Sequence, residues 1–294
     1  MADTVFCIGN GESRQGFDLE QLRPHGKIYG CNALYRDFTP DVLVAVDHGI
    51  IHEIYHSGYA KKNTCYFREW TKQPAETYHL TLYGTLDKDQ IEEVKKHVDV
   101  IHENERGNSK EFVFHGANLS GIVNIVKRWK GKPNTEDVMK KEIKHNSVYI
   151  SWVEETDPVH TLKEVIQPKD RGWACGATSG LIACIKEKPK DVYLIGHDLN
   201  SKHQKLNNIY KSTRHYGNEN NAAIPSVNWV DQWKKIFREY KDINFWKVNE
   251  IVEDRSNEIY VGDDVNKKVL HWDGTVPNVK YINYDELKRR LTLA

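Results

Sequence analysis

"VFCIGNGES", residues 5–13, is an apolar run that stops at Gly9-Asn10-Gly11 and passes into a small polar segment. A buried strand that ends on glycine reads in two ways: as a tight turn, or as a loop where a ligand approaches the backbone closely. The pattern is not G-x-G-x-x-G, because Arg14 stands where the third glycine belongs, so a dinucleotide fingerprint is not supported. Outward from this stretch, short apolar runs recur with helical material between them. "TVFCI" (4–8), "KIYGCN" (27–32), "DVLVAVD" (41–47) and "NTCYFRE" (63–69) read as strands, as do "DVYLIG" (191–196) and "INFWKVN" (243–249). "SVYISWV" (147–153) reads as a peripheral one. A helix is expected from about Ala177 to Lys186. A second is expected over 227–241, with Val227, Val230, Trp233 and Phe237 on one face. Strands alternating with helices predict an α/β fold: a Rossmann-like, mostly parallel sheet with helices on both faces.

The expected organisation is one α/β domain over 1–251 and a C-terminal extension, 252–294, packed on it. Residues about 70–146 are rich in charge and helix formers and are expected to form a helical insertion. About 200–225 reads as a lid loop. "EIYVG", "KVLHW" and "VKYIN" are strand-like pieces leading to a closing helix in "DELKRRLTLA".

Lysine plus arginine and aspartate plus glutamate each number 42 in the 294 residues, so the chain carries no strong nucleic-acid signal. Hydrophobic residues make up 39% and charged residues 29%, with mean hydropathy −0.69, a globular profile. No apolar stretch approaches the roughly 20 residues of a membrane span, and the start lacks a signal-peptide layout. The scattered cysteines Cys7, Cys31, Cys65, Cys175 and Cys184 fit buried free thiols. A cytoplasmic protein is expected.

Several strands end in polar or glycine-rich residues, and the ends of one sheet converge on one edge. Asn32 ends the second strand, Asp47 and His48 the third, and His197 and Asp198 the later core strand. His48, His52 and His56 share a helical spacing, but they lack the H-E-x-x-H pattern and no metal is expected. "GATSG" places Thr178, Ser179 and Gly180 near a helix start, where hydroxyls cap the helix or a phosphate binds its N–H groups. The polar segment "IYKSTRHYGNENNAAIP" (209–225) gathers Tyr210, Lys211, Arg214, His215 and Tyr216. There a histidine is a candidate base, and tyrosine and arginine are candidate anion partners.

In order and spacing, "CIGNGES", "YGCNALYRDF", "ATSGLIACI…KPKDVYLIGHDL" and "INFWKVNEIVE" resemble the bacterial sialyltransferases of glycosyltransferase family 42, over roughly residues 4–251. The resemblance implies a metal-independent inverting glycosyltransferase with no cofactor. It would move a sugar from CMP-sialic acid, or another nucleotide-sugar donor, to the hydroxyl of an unknown acceptor. It implies that Asn10, Gly11 and Ser13, next to Gly9, hold the nucleotide phosphate and ribose, and that Asn32 and His48 touch the nucleotide. It implies further that Thr178 and Ser179 meet the donor carboxylate, that Asp198 lies at the ribose or base edge, and that Asn249 lines the same cleft. Members often form oligomers, which leaves a homo-oligomer open. The chain departs from the pattern in three places. Glu12 replaces a proline, Leu199-Asn200 replaces a tyrosine-bearing strand end, and no second histidine follows His215-Tyr216. Either His215 takes the role of base, with Tyr210 or Tyr216, alone or with Arg214, stabilising the departing phosphate, or the activity differs. A Mg-dependent phosphotransferase or pyrophosphokinase-like enzyme remains an alternative, as does a non-catalytic nucleotide-binding or structural protein.

Overall fold

In the computed structural model, the described residues are 2–47, 50, 51, 53, 54, 57–68, 72–73, 98–106, 109–117, 146–151, 153–154, 158–199, 205–224, 227–248 and 276–293. The chain divides into two compact units, one of Met1–Tyr59, Asn63–Tyr66 and Val165–Ala294, the other of Ala60–Lys62 and Phe67–Glu164.

The strands, in chain order, begin with β1 (Thr4–Ile8), β2 (Lys27–Cys31), β3 (Val42–Ala45) and β4 (Cys65–Phe67). Then come β5 (Lys72–Gln73), β6 (Val98–Arg106), β7 (Ser109–Ala117), β8 (Asn146–Ser151), β9 (Val153–Glu154) and β10 (Val159–Thr161). The last three are β11 (Asp191–Ile195), β12 (Asn244–Val248) and β13 (Val279–Ile282). Among the described residues are the helices α1 (Cys175–Glu187), α2 (Val227–Glu239) and α3 (Tyr284–Leu291). Eight strands form one sheet in the order β10-β4-β3-β2-β1-β11-β12-β13, and every pairing from β3 to β13 is parallel. This is the α/β, Rossmann-like architecture that the strand–helix alternation predicts. Val5–Ile8 and Val192–Ile195 are buried along their whole length, as continuous apolar runs in a sheet covered on both faces must be.

α1 lies over β1, β2 and β3 and meets α2 through Gly180, where any Cβ would overlap the Trp233 ring. Trp233 stacks on Phe237 at 5.7 Å between centroids, and Phe237 packs on Phe245 of β12 at 4.8 Å. This carries the core from α1 through α2 to the sheet. α1 stops at Lys188, which is left-handed (φ 49°), and Pro189 cannot continue the helix. The described part of the C-terminal extension joins the same unit: β13 is the edge strand, and α3 starts on Asn283, whose side chain accepts from Glu286 N. Among the described residues, no helix is long and apolar enough to cross a membrane.

Within the stretch expected to be a helical insertion, the described residues form β-structure. β6 and β7 pair antiparallel, Val98 opposite Ala117 and Arg106 opposite Ser109, and β8 runs parallel to β7. "VDVIHENER" and "SKEFVFHGA" flank Gly107-Asn108, a two-residue link typical of hairpins, and Phe112 and Phe114 alternate with other residues. That short-range pattern outweighs the charge-rich composition that suggested helix. The other residues of 70–146, and the pieces "EIYVG" and "KVLHW", lie outside the described residues.

Candidate functional site

The chain leaves β1 toward β2 and leaves β11 toward β12, in opposite directions, so the loops after these neighbours flank the point where strand order reverses. In open parallel sheets, ligands bind at such a point. Here the two loops are hydrogen-bonded to each other. Gly9 N donates to Ile195 O and Gly11 N to Gly196 O, each at 2.8 Å. Glu12 N donates to Asn207 Oδ1 at 2.8 Å, and Ser13 N to Asp198 Oδ2 at 3.0 Å. The Ser13 hydroxyl also donates to the Asp198 carboxylate, and Lys211 pairs with the Glu12 carboxylate. A Cβ on Gly9 would overlap Gly196 O, and one on Gly11 would overlap Asp198. Both glycines therefore serve a close approach of chain to chain. The N–H groups of Gly9, Gly11, Glu12 and Ser13 are committed within the protein, and Asp198 acts as the carboxylate that receives Ser13.

Two buried polar atoms without a hydrogen-bond partner lie beside this seam, at the ends of β1 and β2. Asn10 Nδ2 donates to Cys31 O at 3.2 Å, and its carbonyl accepts from Ile209 N, while its Oδ1 is buried with no partner. Asn32 sits in the left-handed region (φ 47°), a conformation asparagine tolerates better than most residues. Its Nδ2 donates to Asp47 Oδ2 at 2.9 Å, and its Oδ1 is likewise buried and unpartnered. Cys175, the first residue of α1, reaches the neighbouring strand β3: its Sγ donates to Val44 O at 2.9 Å. No side chain caps α1 at Ala174, and the first N–H groups of any helix have no intrahelical acceptor.

His197 lies between Gly9 and Gly176. It is 6% exposed, with Cδ2 3.3 Å from the position a Cβ of Gly9 would take and Cε1 2.9 Å from that of Gly176. Its ring stands edge-on to Trp233 at 5.1 Å, and Nε2 is buried without a partner. Burial first, then the charge of Lys247, lower its pKa to about 3, so it is neutral at ordinary pH.

The "TSG" residues lie deeper than a helix start requires. α1 begins at Cys175, two residues before the expected Ala177, because Ala174 is the last extended residue. Thr178 and Ser179 are fully buried. The Thr178 hydroxyl donates to Ala174 O at 2.9 Å and that of Ser179 to Gly176 O at 2.9 Å. Both hydroxyls are engaged by their own helix, and Gly180 is the contact with Trp233. The donors at the helix start are the backbone groups of Cys175, Gly176 and Ala177.

The lid segment 205–224 is held down at several points. Tyr216 Oη accepts from Ala33 N at 3.3 Å. The Tyr210 hydroxyl donates to Asp37 and accepts from Arg14 Nη2 at 3.1 Å. Arg14, 6% exposed, also donates Nε to Gly9 O at 2.8 Å, which ties the glycine loop to the lid. Burial, with Asp37 next, pushes the Tyr210 hydroxyl up, and burial does the same for Tyr216. Arg36 grips Glu53 with two nitrogens at 2.8 and 2.9 Å and also donates to Thr213 Oγ1 and Arg214 O. Its guanidinium lies over the rings of Tyr210 and Tyr216. His215, left-handed at φ 69°, has Nε2 3.5 Å from Glu53 Oε2. Burial favours the neutral form of Glu53, but hydrogen bonds from Arg36 and Tyr35 prevail and hold it below the usual carboxylate range.

The structure thus brings Asn10, Asn32, Asp47 and Tyr216 together around the start of α1. Tyr210 lies in the Arg14–Asp37 network, His215 is paired with Glu53, and Arg214 is exposed, its carbonyl taken by Arg36. His48 and Asn249, like His52 and His56, lie outside the described residues. Sequence reasoning missed Arg14, Arg36, Asp37 and Glu53. Arg14 was visible only as a missing glycine, and the other three have partners far along the chain. Among the described residues, no group of three or more His, Cys, Asp or Glu side chains is placed to hold a metal ion. Compared with known proteins, the chain matches no family model, no curated protein and no solved structure.

Proposed function

We propose that this chain binds a nucleotide sugar at the ends of β1 and β2 and transfers the sugar to an acceptor hydroxyl, as a sialyltransferase-like inverting glycosyltransferase. The observation that carries the reading is the pair of buried, unpartnered amide oxygens, Asn10 Oδ1 and Asn32 Oδ1, beside the uncapped start of α1. The oxygens are acceptors suited to ribose hydroxyls or a base amino group, and a helix start suits a phosphate or carboxylate. A nucleotide linked to an acidic sugar offers both, and the sequence resemblance favours CMP. In this reading His215, oriented by Glu53, takes the acceptor proton as its oxygen attacks the anomeric carbon. Tyr216 and the α1 N–H groups face the charge that develops on the departing phosphate.

A specific observation also favours a second reading, a binding protein without turnover: the glycine-loop N–H groups that would cradle a phosphate are committed to Ile195, Gly196, Asn207 and Asp198. Thermal shift with CMP, UMP, GMP, AMP and NAD tests binding. A ligand at 100 times its Kd adds about 2.7 kcal/mol, and Asn32→Ala removes that gain. Donor hydrolysis then separates the two readings. In a transferase, His215→Ala lowers turnover about 10²–10⁴-fold while CMP still stabilises the protein. Stabilisation by NAD and not by CMP overturns the proposal. Loss of activity in EDTA moves the assignment to a Mg-dependent phosphotransferase.

A further inference from the structure

The lid segment has a base and a tip, and different bonds hold them. The base, 206–211, is stitched to the glycine loop. Ile209 N donates to Asn10 O at 2.9 Å, Glu12 N donates to Asn207 Oδ1 at 2.8 Å, and Lys211 pairs with Glu12. Tyr210 is buried there between Arg14 and Asp37. The tip, 212–217, is closed on itself, with Ser212 N donating to Gly217 O at 2.8 Å and Tyr216 N to Thr213 O at 3.0 Å. Ser212 to His215 are exposed, and both Ser212 (φ 61°) and His215 (φ 69°) hold the left-handed conformation that such residues adopt at a cost.

Arg36, in the short helix after β2, clamps this strained tip. Nη1 donates to Thr213 Oγ1 at 2.8 Å and Nη2 to Arg214 O at 3.0 Å, while Nε and Nη2 fork onto Glu53 at 2.8 and 2.9 Å. Glu53 also accepts from Tyr35 Oη at 2.6 Å and lies 3.5 Å from His215 Nε2. The tip meets the site through Tyr216, whose Oη accepts from Ala33 N at 3.3 Å, one residue from the unpartnered Asn32 Oδ1. With the tip down, Ala33 is fully buried and so is that oxygen.

We propose that 212–217 is a gate over the end of β2, latched by Arg36, and that Tyr216 Oη holds the Ala33 N–H in the place of a ligand oxygen. With the tip raised, Asn32 Oδ1 and Ala33 N–H offer an acceptor and a donor from adjacent residues. They are the complement of a ligand hydroxyl and a phosphate or carboxylate oxygen. With the tip lowered, His215 stands at Glu53. The backbone cost at Ser212 and His215 favours opening, and the Arg36 fork opposes it. As a gate, the tip rests on the placement of the ligand at the ends of β1 and β2 argued above.

Amide exchange, read residue by residue on the full-length protein without ligand, tests the latch. Arg36→Lys keeps the charge and loses the fork. It is expected to speed exchange at Ala33 about tenfold or more, while Ile209 in the base and Cys7 and Leu194 in the core keep their wild-type rates. Glu53→Gln, which weakens the latch from its other side, speeds up Ala33 in the same selective way. Unchanged exchange at Ala33 in both variants, or Ile209 rising together with Ala33, overturns the proposal. CMP, as the probe followed by tryptophan fluorescence in stopped flow, is expected to associate with Arg36→Lys faster than with wild type, by the same factor as the gain in opening. Equal association rates overturn the gate. Failure of CMP to bind either protein refutes the nucleotide reading instead, and the exchange rates alone then decide the latch.

Discussion

Acidifying the protein from pH 8 to pH 5 costs it about 2 kcal/mol through one side chain, His197. The ring is 6% exposed, and its pKa falls from 6.5 to about 3 because burial and then Lys247 oppose its protonation. Below pH 6.5 the unfolded chain binds a proton at this position, while the folded chain does not until about pH 3. Stability from this group is therefore complete above pH 6.5 and is lost as the pH falls toward 3. At about 1.36 kcal/mol per unit of pH, the interval from 6.5 to 5 gives about 2 kcal/mol, and the whole interval to pH 3 about 5 kcal/mol. The perturbation is His197→Phe, which keeps an aromatic edge toward Trp233 and removes the titrating nitrogen. Urea unfolding of both proteins at pH 8, 6 and 5 is the assay. Glu53 and Glu187, both lowered from 4.5, lose their contributions only below that value and stay outside the window. The other histidines are common to both proteins and cancel. The variant is expected to lose about 2 kcal/mol less than wild type between pH 8 and pH 5, whatever its stability at pH 8. Parallel stability curves would refute the account and mean that His197 is hydrated or partnered in solution.

Two further outcomes follow from packing and from the lid. Gly180→Ala, which in an exposed helix gains about 1 kcal/mol, is expected to destabilise by about 1–3 kcal/mol, because the added methyl overlaps Trp233; the denaturation midpoint reports the sign. Arg36→Lys keeps the charge but loses the fork that holds Glu53, Thr213 and Arg214 O together, so limited proteolysis within 209–216 is expected to accelerate while near-UV dichroism of the core is unchanged.

The strands "TVFCI", "DVLVAVD", "DVYLIG" and "INFWKVN" were legible because a strand buried on both faces needs a continuous apolar run, and four or five residues suffice to display it. The amphipathic spacing of Val230, Trp233 and Phe237 was legible for the same reason, a local period. The hairpin of β6 and β7 was missed where composition was weighed above the Gly107-Asn108 link and the alternation around it. Asn10 and Asn32 stood out as polar residues at strand ends, and both carry unpartnered buried oxygens.

The sequence by itself determined the parallel α/β architecture and the strand ends at which a ligand can sit, because periodicity and strand termination are properties of neighbouring residues. Only the tertiary structure decided what the glycine loop does. "GNGES" reads as a cradle until Ile195, Gly196, Asp198 and Asn207 arrive from nearly two hundred residues away and take its N–H groups. The same long-range packing turned Thr178 and Ser179 into buried helix residues and placed His197 neutral between Gly9 and Gly176. Each of these depends on which distant donor or acceptor reaches a group first, and a backbone N–H committed to one partner is not open to another.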